Sequence, residues 1–173
     1  MSLLFGHRES EDLDFFTKSN FKPIDLQTQL TQLGTLESVQ IDSGTLNLYL
    51  NEVKLQFLYY PYPLLRDLIP FEAIHLSSML DIACTKLITI SMRGSKKDFI
   101  DLYFILQQLT LAQLFEELDK KYKNVQYNRL HILKSLIYFT DADNQPMPRM
   151  HSQVEWKTIK EKITHVVKEY SFE

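Results

Sequence analysis

The sequence predicts an α+β protein, with a mixed or antiparallel sheet in its first half and a helical C-terminal half. Three observations predict it. Residues 36–60 hold three strand-like runs, 36–41, 45–50 and 53–60, parted by the turn pairs Ser43-Gly44 and Asn51-Glu52. Pro61-Tyr62-Pro63 then ends the sheet run, because proline donates no ladder hydrogen bond. From Ser77 onward the apolar spacing is helical. Residues 1–75 therefore read as a β-rich core and 76–173 as a helical part packed on it, as two parts or as one continuous domain.

Each element has a local reason. Residues 13–17 alternate and end in aromatics, as a strand does. Residues 24–33 place Leu26, Leu30 and Leu33 at helical spacing, with Gly34 as the stop. In 53–60, Val53, Leu55, Phe57 and Tyr59 share one face, and Lys54, Gln56, Leu58 and Tyr60 the other. Ser77 or Ser78 caps a helix running to about Met92, and Arg93-Gly94-Ser95 breaks it. Further helices are expected over 95–106, 111–122, 128–139 and 154–168. The loop 141–149 precedes the last of them, whose apolar stripe is Trp156, Ile159, Ile163, Val166 and Tyr170.

Composition excludes several classes. Apolar residues make up 45% and charged residues 24% of the 173-residue chain, as in ordinary globular proteins. A net charge of −3 gives no reason to expect sequence-independent nucleic-acid binding. The single cysteine, Cys84, rules out an internal disulfide and fits a reducing cytoplasm. No stretch approaches the roughly 20 apolar residues of a membrane helix. The beginning lacks the basic-then-apolar pattern of a secretory signal. The five histidines show no metal-ligand spacing and read as structural or surface groups.

Two constellations point to chemistry. In His7-Arg8-Glu9-Ser10-Glu11-Asp12-Leu13-Asp14-Phe15-Phe16, a strand aims Asp12 and Asp14 at one face. A cation between them, most naturally Mg²⁺, would relieve their repulsion. The plainer reading is a polar strand end before a buried Phe pair. In the helical half, Lys86 and Arg93 lie seven residues apart and share a helix face. Asp98 and Asp101 neighbour each other on the next helix, where Lys97 and Asp101 are also spaced to pair. Phe99, Leu102, Tyr103 and Leu106 form the opposite, core-facing stripe. Phosphate-handling cations beside functional acids are one reading, and a solvated helix face with local ion pairs is the other. Asp81 lies about 140° around its helix from Lys86 and reads as a cap or brace. Tyr59-Tyr60-Pro61-Tyr62 either stacks a base or packs the interior.

Taken together, these blocks resemble the AbiEii/AbiGii nucleotidyltransferase toxins. The first is similar to that family's R-x-S-x-D-L-D-F-F block. Asp81 to Leu87 is similar to its D-x-x-x-x-K-L block, and Arg93 to Phe104 to its R-G-x-x-K-D-x-x-D-L-Y block. The resemblance covers about Phe5 to Leu106. It implies a DNA polymerase β-like nucleotidyltransferase fold and Mg²⁺-dependent transfer of an NMP from an NTP to an RNA or protein acceptor. It also implies a cognate antitoxin in a toxin–antitoxin, abortive-infection system. Asp12 and Asp14 would match the metal-binding carboxylates, and Lys86, Asp98 and Asp101 the later catalytic residues. Arg8, Ser10, Arg93 and Lys97 would meet the nucleotide.

The chain departs from the pattern twice. The Gly-Gly-Ser/Thr segment that cradles triphosphate is absent, Gly6 being the only glycine before Asp12. Met1-Ser2-Leu3 reads as a vector-derived start with a truncated chain behind it. The position of a third carboxylate is matched by neutral Gln56. An alternative therefore stands beside the enzyme: a catalytically disarmed module of the same fold acting by nucleotide or protein binding. An RNA-binding helical module is a weaker third reading.

Overall fold

The computed structural model describes residues 2–171, with side chains described over 4–170. The supposed vector start at Met1-Ser2-Leu3 lies outside the residues whose side chains are described. Two compact units divide the chain, residues 10–62 forming one and residues 1–9 with 63–173 the other.

The smaller unit is a four-stranded mixed sheet with one helix. Its elements are β1 (Asp12–Thr17), α2 (Pro23–Leu30), β2 (Leu36–Asp42), β3 (Thr45–Leu50) and β4 (Val53–Tyr59). A four-residue helix, α1 (Ser2–Phe5), precedes them in the chain. The strand order is β1-β4-β3-β2, with β2, β3 and β4 as an antiparallel meander and β1 parallel to β4. Period-2 alternation sends Leu46, Leu48 and Leu55 to one face. There they bury with Leu30 of α2, ringed by Phe21, Leu26, Leu36, Val39, Leu50 and Phe57. The helix ends at Leu30, three residues short of the expected end at Leu33. Gly34 has a different use: a side chain there would strike the Asn51 amide, with a Cβ only 2.2 Å from its Oδ1. That amide oxygen accepts the Thr35 N–H at 3.0 Å and so staples the start of β2 to the β3–β4 turn.

The larger unit is helical, with a small hairpin that has no periodic signal in the sequence. Its strands, β5 (Ile69–Phe71) and β6 (Ile74–Leu76), are three residues each, and Pro70 stands in the first. The helices are α3 (Met79–Met92), α4 (Lys96–Ile105), α5 (Leu111–Lys121), α6 (Arg129–Leu136), α7 (Thr140–Asp143) and α8 (Trp156–Ser171). Ser78 is the N-cap of α3, its hydroxyl accepting the Asp81 N–H. Thr110 and Gln113 form a full capping box at α5.

The fourth predicted helix is broken: α6 stops at Leu136, and the four-residue α7 occupies the start of the expected loop. Around α3 pack α4, α5 and α6, and α8 lies against α4, α5 and α6. The buried stripe of α8 is Ile159, Ile163 and Val167, so Val167 takes the innermost place expected of Val166. No helix among the described residues is long and apolar enough to cross a membrane.

Candidate functional site

In the sheet unit, parallel pairing puts Asp12 opposite Lys54 and Asp14 opposite Gln56, while β3 places Asn47 opposite Gln56. Alternation therefore lines up Asp12, Asp14, Lys54, Gln56 and Asn47 on the sheet face away from the leucine core. Lys54 Nζ lies 3.4 Å from Asp12 Oδ2. Asp14 is exposed, and Asn47 Oδ1 is buried without a hydrogen-bond partner. The Phe pair is not buried: Phe15 is 37% and Phe16 46% exposed, so the plainer reading of this block fails at its aromatic half. Phe15 stacks on Phe57 at 5.0 Å, and Phe16 meets Tyr60 edge-on at 5.2 Å, with Tyr62 behind it.

The two carboxylates match what Mg²⁺ takes from a protein, one or two acids with water and substrate phosphate completing its octahedron, while Lys54 competes for one of them. Among the described residues no three His, Cys, Asp or Glu side chains gather as an all-protein metal cage. Ser10 Oγ donates to the Asp12 carbonyl at 3.3 Å just ahead of the strand.

In the helical unit the two acids of α4 are not on a solvated face. Asp98 is 1% and Asp101 0% exposed. Lys86 of α3 bridges them, its Nζ lying 2.6 Å from Asp98 Oδ1 and 2.7 Å from Asp101 Oδ2. Asp101 is fully engaged. Arg8 donates bidentately to it, Nε at 2.8 Å and Nη2 at 2.9 Å, and His7 Nε2 donates at 2.8 Å. The His7 ring packs on Phe104 at 4.5 Å. The segment carrying His7 and Arg8 is itself fixed by a bridge of Arg8 to Met150, with His7 O accepting the His151 N–H at 2.9 Å.

Asp98 differs from Asp101: its Oδ2 is buried with no hydrogen-bond partner, and Arg93 Nε stands 3.8 Å off. Burial alone would lower the Lys86 pKa, but the charges and hydrogen bonds of Asp101 and Asp98 outweigh it and raise it. Burial would raise Asp101, yet hydrogen bonds from His7 and Arg8 and the Lys86 charge hold it well below the usual carboxylate range. Asp101 is therefore an occupied anion and no proton acceptor, whereas Asp98 Oδ2 is buried with only the Arg93 guanidinium, 3.8 Å away, to answer it. Asp81 braces, accepting from the Leu65 and Arg66 amides, Ser78 Oγ and Lys121 Nζ. Lys97 is exposed.

A family model described as the nucleotidyl transferase AbiEii toxin of type IV toxin–antitoxin systems matches residues 27–173. The chain belongs to the AbiEii family. A protein of Aquifex aeolicus (strain VF5), described as uncharacterized, is 35% identical to it over 176 residues, covering 96% of this chain and 82% of its own length. The crystal structure of JHP933 from Helicobacter pylori covers 97% of this chain and 80% of its own at 15% identity, with a TM-score of 0.49.

Within the AbiEii match fall Lys86, Arg93, Lys97, Asp98 and Asp101, together with the helices beyond Leu106 that the motif blocks do not reach. Arg8, Ser10, Asp12 and Asp14 precede it. Two groups escaped the reading of this AbiEii-family sequence. His7 passed for a structural or surface histidine, and no local pattern links it to Asp101, 94 residues away. Asn47 was legible in principle, since Leu46, Leu48 and Leu50 alternate to the core and leave it beside Gln56.

Proposed function

We propose that this AbiEii-family toxin is a Mg²⁺-dependent nucleotidyltransferase that moves an NMP from an NTP to a hydroxyl of an RNA or protein acceptor in the cytoplasm, restrained by a cognate antitoxin. The observation that carries this reading is the placement of Asp12 and Asp14 on one sheet face beside Gln56. When bound there, Mg²⁺ supplies charge neutralisation for the NTP phosphates. Lys86 and Arg93 of the helical unit are assigned to phosphate by the resemblance alone. Asp98 is assigned to catalysis by the resemblance alone. As the acceptor oxygen bonds to the α-phosphorus, the α–β bridging P–O bond breaks, pyrophosphate leaves, and the hydroxyl proton is released to solvent. Ser10 and Lys97 are assigned to phosphate oxygens by the resemblance alone. Arg8 has its fork engaged by Asp101.

A second reading is favoured by Gln56 and by the Lys54–Asp12 contact, which together weaken the donor set. In it the fold binds nucleotide or protein without transferring anything. One experiment separates the two: Mg²⁺-dependent binding of a fluorescent NTP, with transfer of labelled nucleotide to total RNA and protein followed in parallel. The transferase reading expects wild-type transfer, with binding weakened about tenfold or more in Asp14→Asn. Equal Mg²⁺-dependent binding by wild type and Asp14→Asn would sink the role of the acid pair. Binding without transfer in the wild type, with transfer gained in Gln56→Asp, would establish the disarmed reading.

A further inference from the structure

Asp101 sits at the centre of a charge arrangement that the transferase chemistry does not require. A fully buried carboxylate beside a second buried carboxylate on the same helix is unfavourable unless cations answer both. Lys86 alone cannot do so, because one ammonium would be shared between two acids 2.6 and 2.7 Å away. Arg93 reaches only Asp98, at 3.8 Å, so the charge that answers Asp101 comes from the N-terminal segment. Arg8 is buried, and its fork closes on both oxygens of Asp101, with His7 adding a third bond. His7 and Arg8 stand five and four residues ahead of Asp12 in the chain.

We propose that Arg8, assisted by His7, is a positioning residue: its fork neutralises Asp101, so that Lys86 stays bridged between Asp101 and Asp98. The consequence of removing the fork follows from the geometry. Asp101 would draw Lys86 wholly to itself. The contact with Asp98 Oδ1 would lengthen, and that side chain would lose the anchor that orients its second oxygen. This differs from a phosphate-binding role for Arg8, which would act on nucleotide affinity and would be indifferent to the charge of Asp101.

Double substitution separates the two roles, because only coupled groups rescue each other. The turnover readout rests on the transferase reading; a second readout, the titration of the Lys86 ammonium followed by NMR of its Nζ, does not. In Arg8→Gln, turnover should fall about tenfold or more while the NTP KM stays within about threefold. In Arg8→Gln with Asp101→Asn, both acid and cation are gone, and turnover should recover by about threefold or more over Arg8→Gln alone. The Lys86 titration should move in the single variant and return in the double. Arg8→Lys, which keeps the charge without the fork, replaces Arg8→Gln if the latter does not give a cooperative melt. A double variant as slow as the single one, a change confined to KM, or a Lys86 titration that never moves would overturn the proposal. Absence of transfer in the wild type would defeat only the transferase reading, since the titration comparison still decides the role of Arg8.

Discussion

Asp81 and Lys121 bury opposite charges against each other at 2.6 Å, and the pair ties three separate pieces of chain together. Asp81 accepts from the 65–66 backbone and Ser78, while Lys121 Nζ also donates to Pro63 O at 3.1 Å. Burial alone would raise the Asp81 carboxyl. The hydrogen bonds from Lys121, Leu65 and Ser78 and the Lys121 charge outweigh it and hold the group below its ordinary 3.8. Asp101 is depressed in the same sense. A carboxylate whose folded value lies below its unfolded one stabilises fully above the unfolded value and loses that contribution as pH falls through the folded one. Thermal melts should accordingly lose little from these two groups down to about pH 4 and lose stability steeply below it. Lys121→Met leaves Asp81 buried and unpaired, and should cost about 3–5 kcal/mol by chemical denaturation at neutral pH. A loss under about 1 kcal/mol would show that the pair does not hold the 63–66 segment. Glu117, nearby, is lowered by its hydrogen bond to Lys120, whose ammonium is solvent-exposed, so that contact adds little to stability.

At the scale of the element, the β3–β4 hairpin has a correctable flaw. Its two-residue loop needs left-handed backbone at both positions, and Asn51 (φ 47°) and Glu52 (φ 68°) supply it. Asn tolerates this conformation and its amide staples Thr35 N; Glu52 has neither excuse. Glu52→Gly should therefore stabilise the sheet unit by about 0.5–1 kcal/mol, read as a raised denaturation midpoint with an unchanged slope. A lower midpoint would mean that Glu52 is held by something other than the turn. The same hairpin shows why so much of the fold was legible. Asn51-Glu52 and Ser78 are local signals, and each marks its element boundary as expected. The hairpin at Ile69–Leu76 was not legible, because three-residue strands around Pro70 have too few positions for alternation to register. The break after Leu136 was equally silent: residues 137–139 continue an apolar run that gives no stop signal.

Across the whole molecule, legibility followed sequence distance. The acid pair and its neighbour Gln56 could be placed because strand period and parallel register fix them once β1 and β4 are recognised. The fourfold grip on Asp101 could not, since His7 and Arg8 come from 94 and 93 residues away and nothing local distinguishes Asp101 from Asp98. Sequence therefore singled out both carboxylates and could not say which one Arg8 and His7 grip. The only tryptophan, Trp156, opens α8, where it packs edge-on against Phe99 and Phe139 and donates its indole N–H to Asp143 at 2.7 Å. The buried Lys96 ammonium lies 5.1 Å over its ring. Optically, then, the protein has one lamp, and it hangs at the joint between the last helix and α4. Emission excited at 295 nm should report undocking of α8 by a red shift, while near-ultraviolet tyrosine dichroism follows both units. Monitored together through a denaturant titration, the two signals would show whether the sheet unit melts with the lamp or after it has gone out.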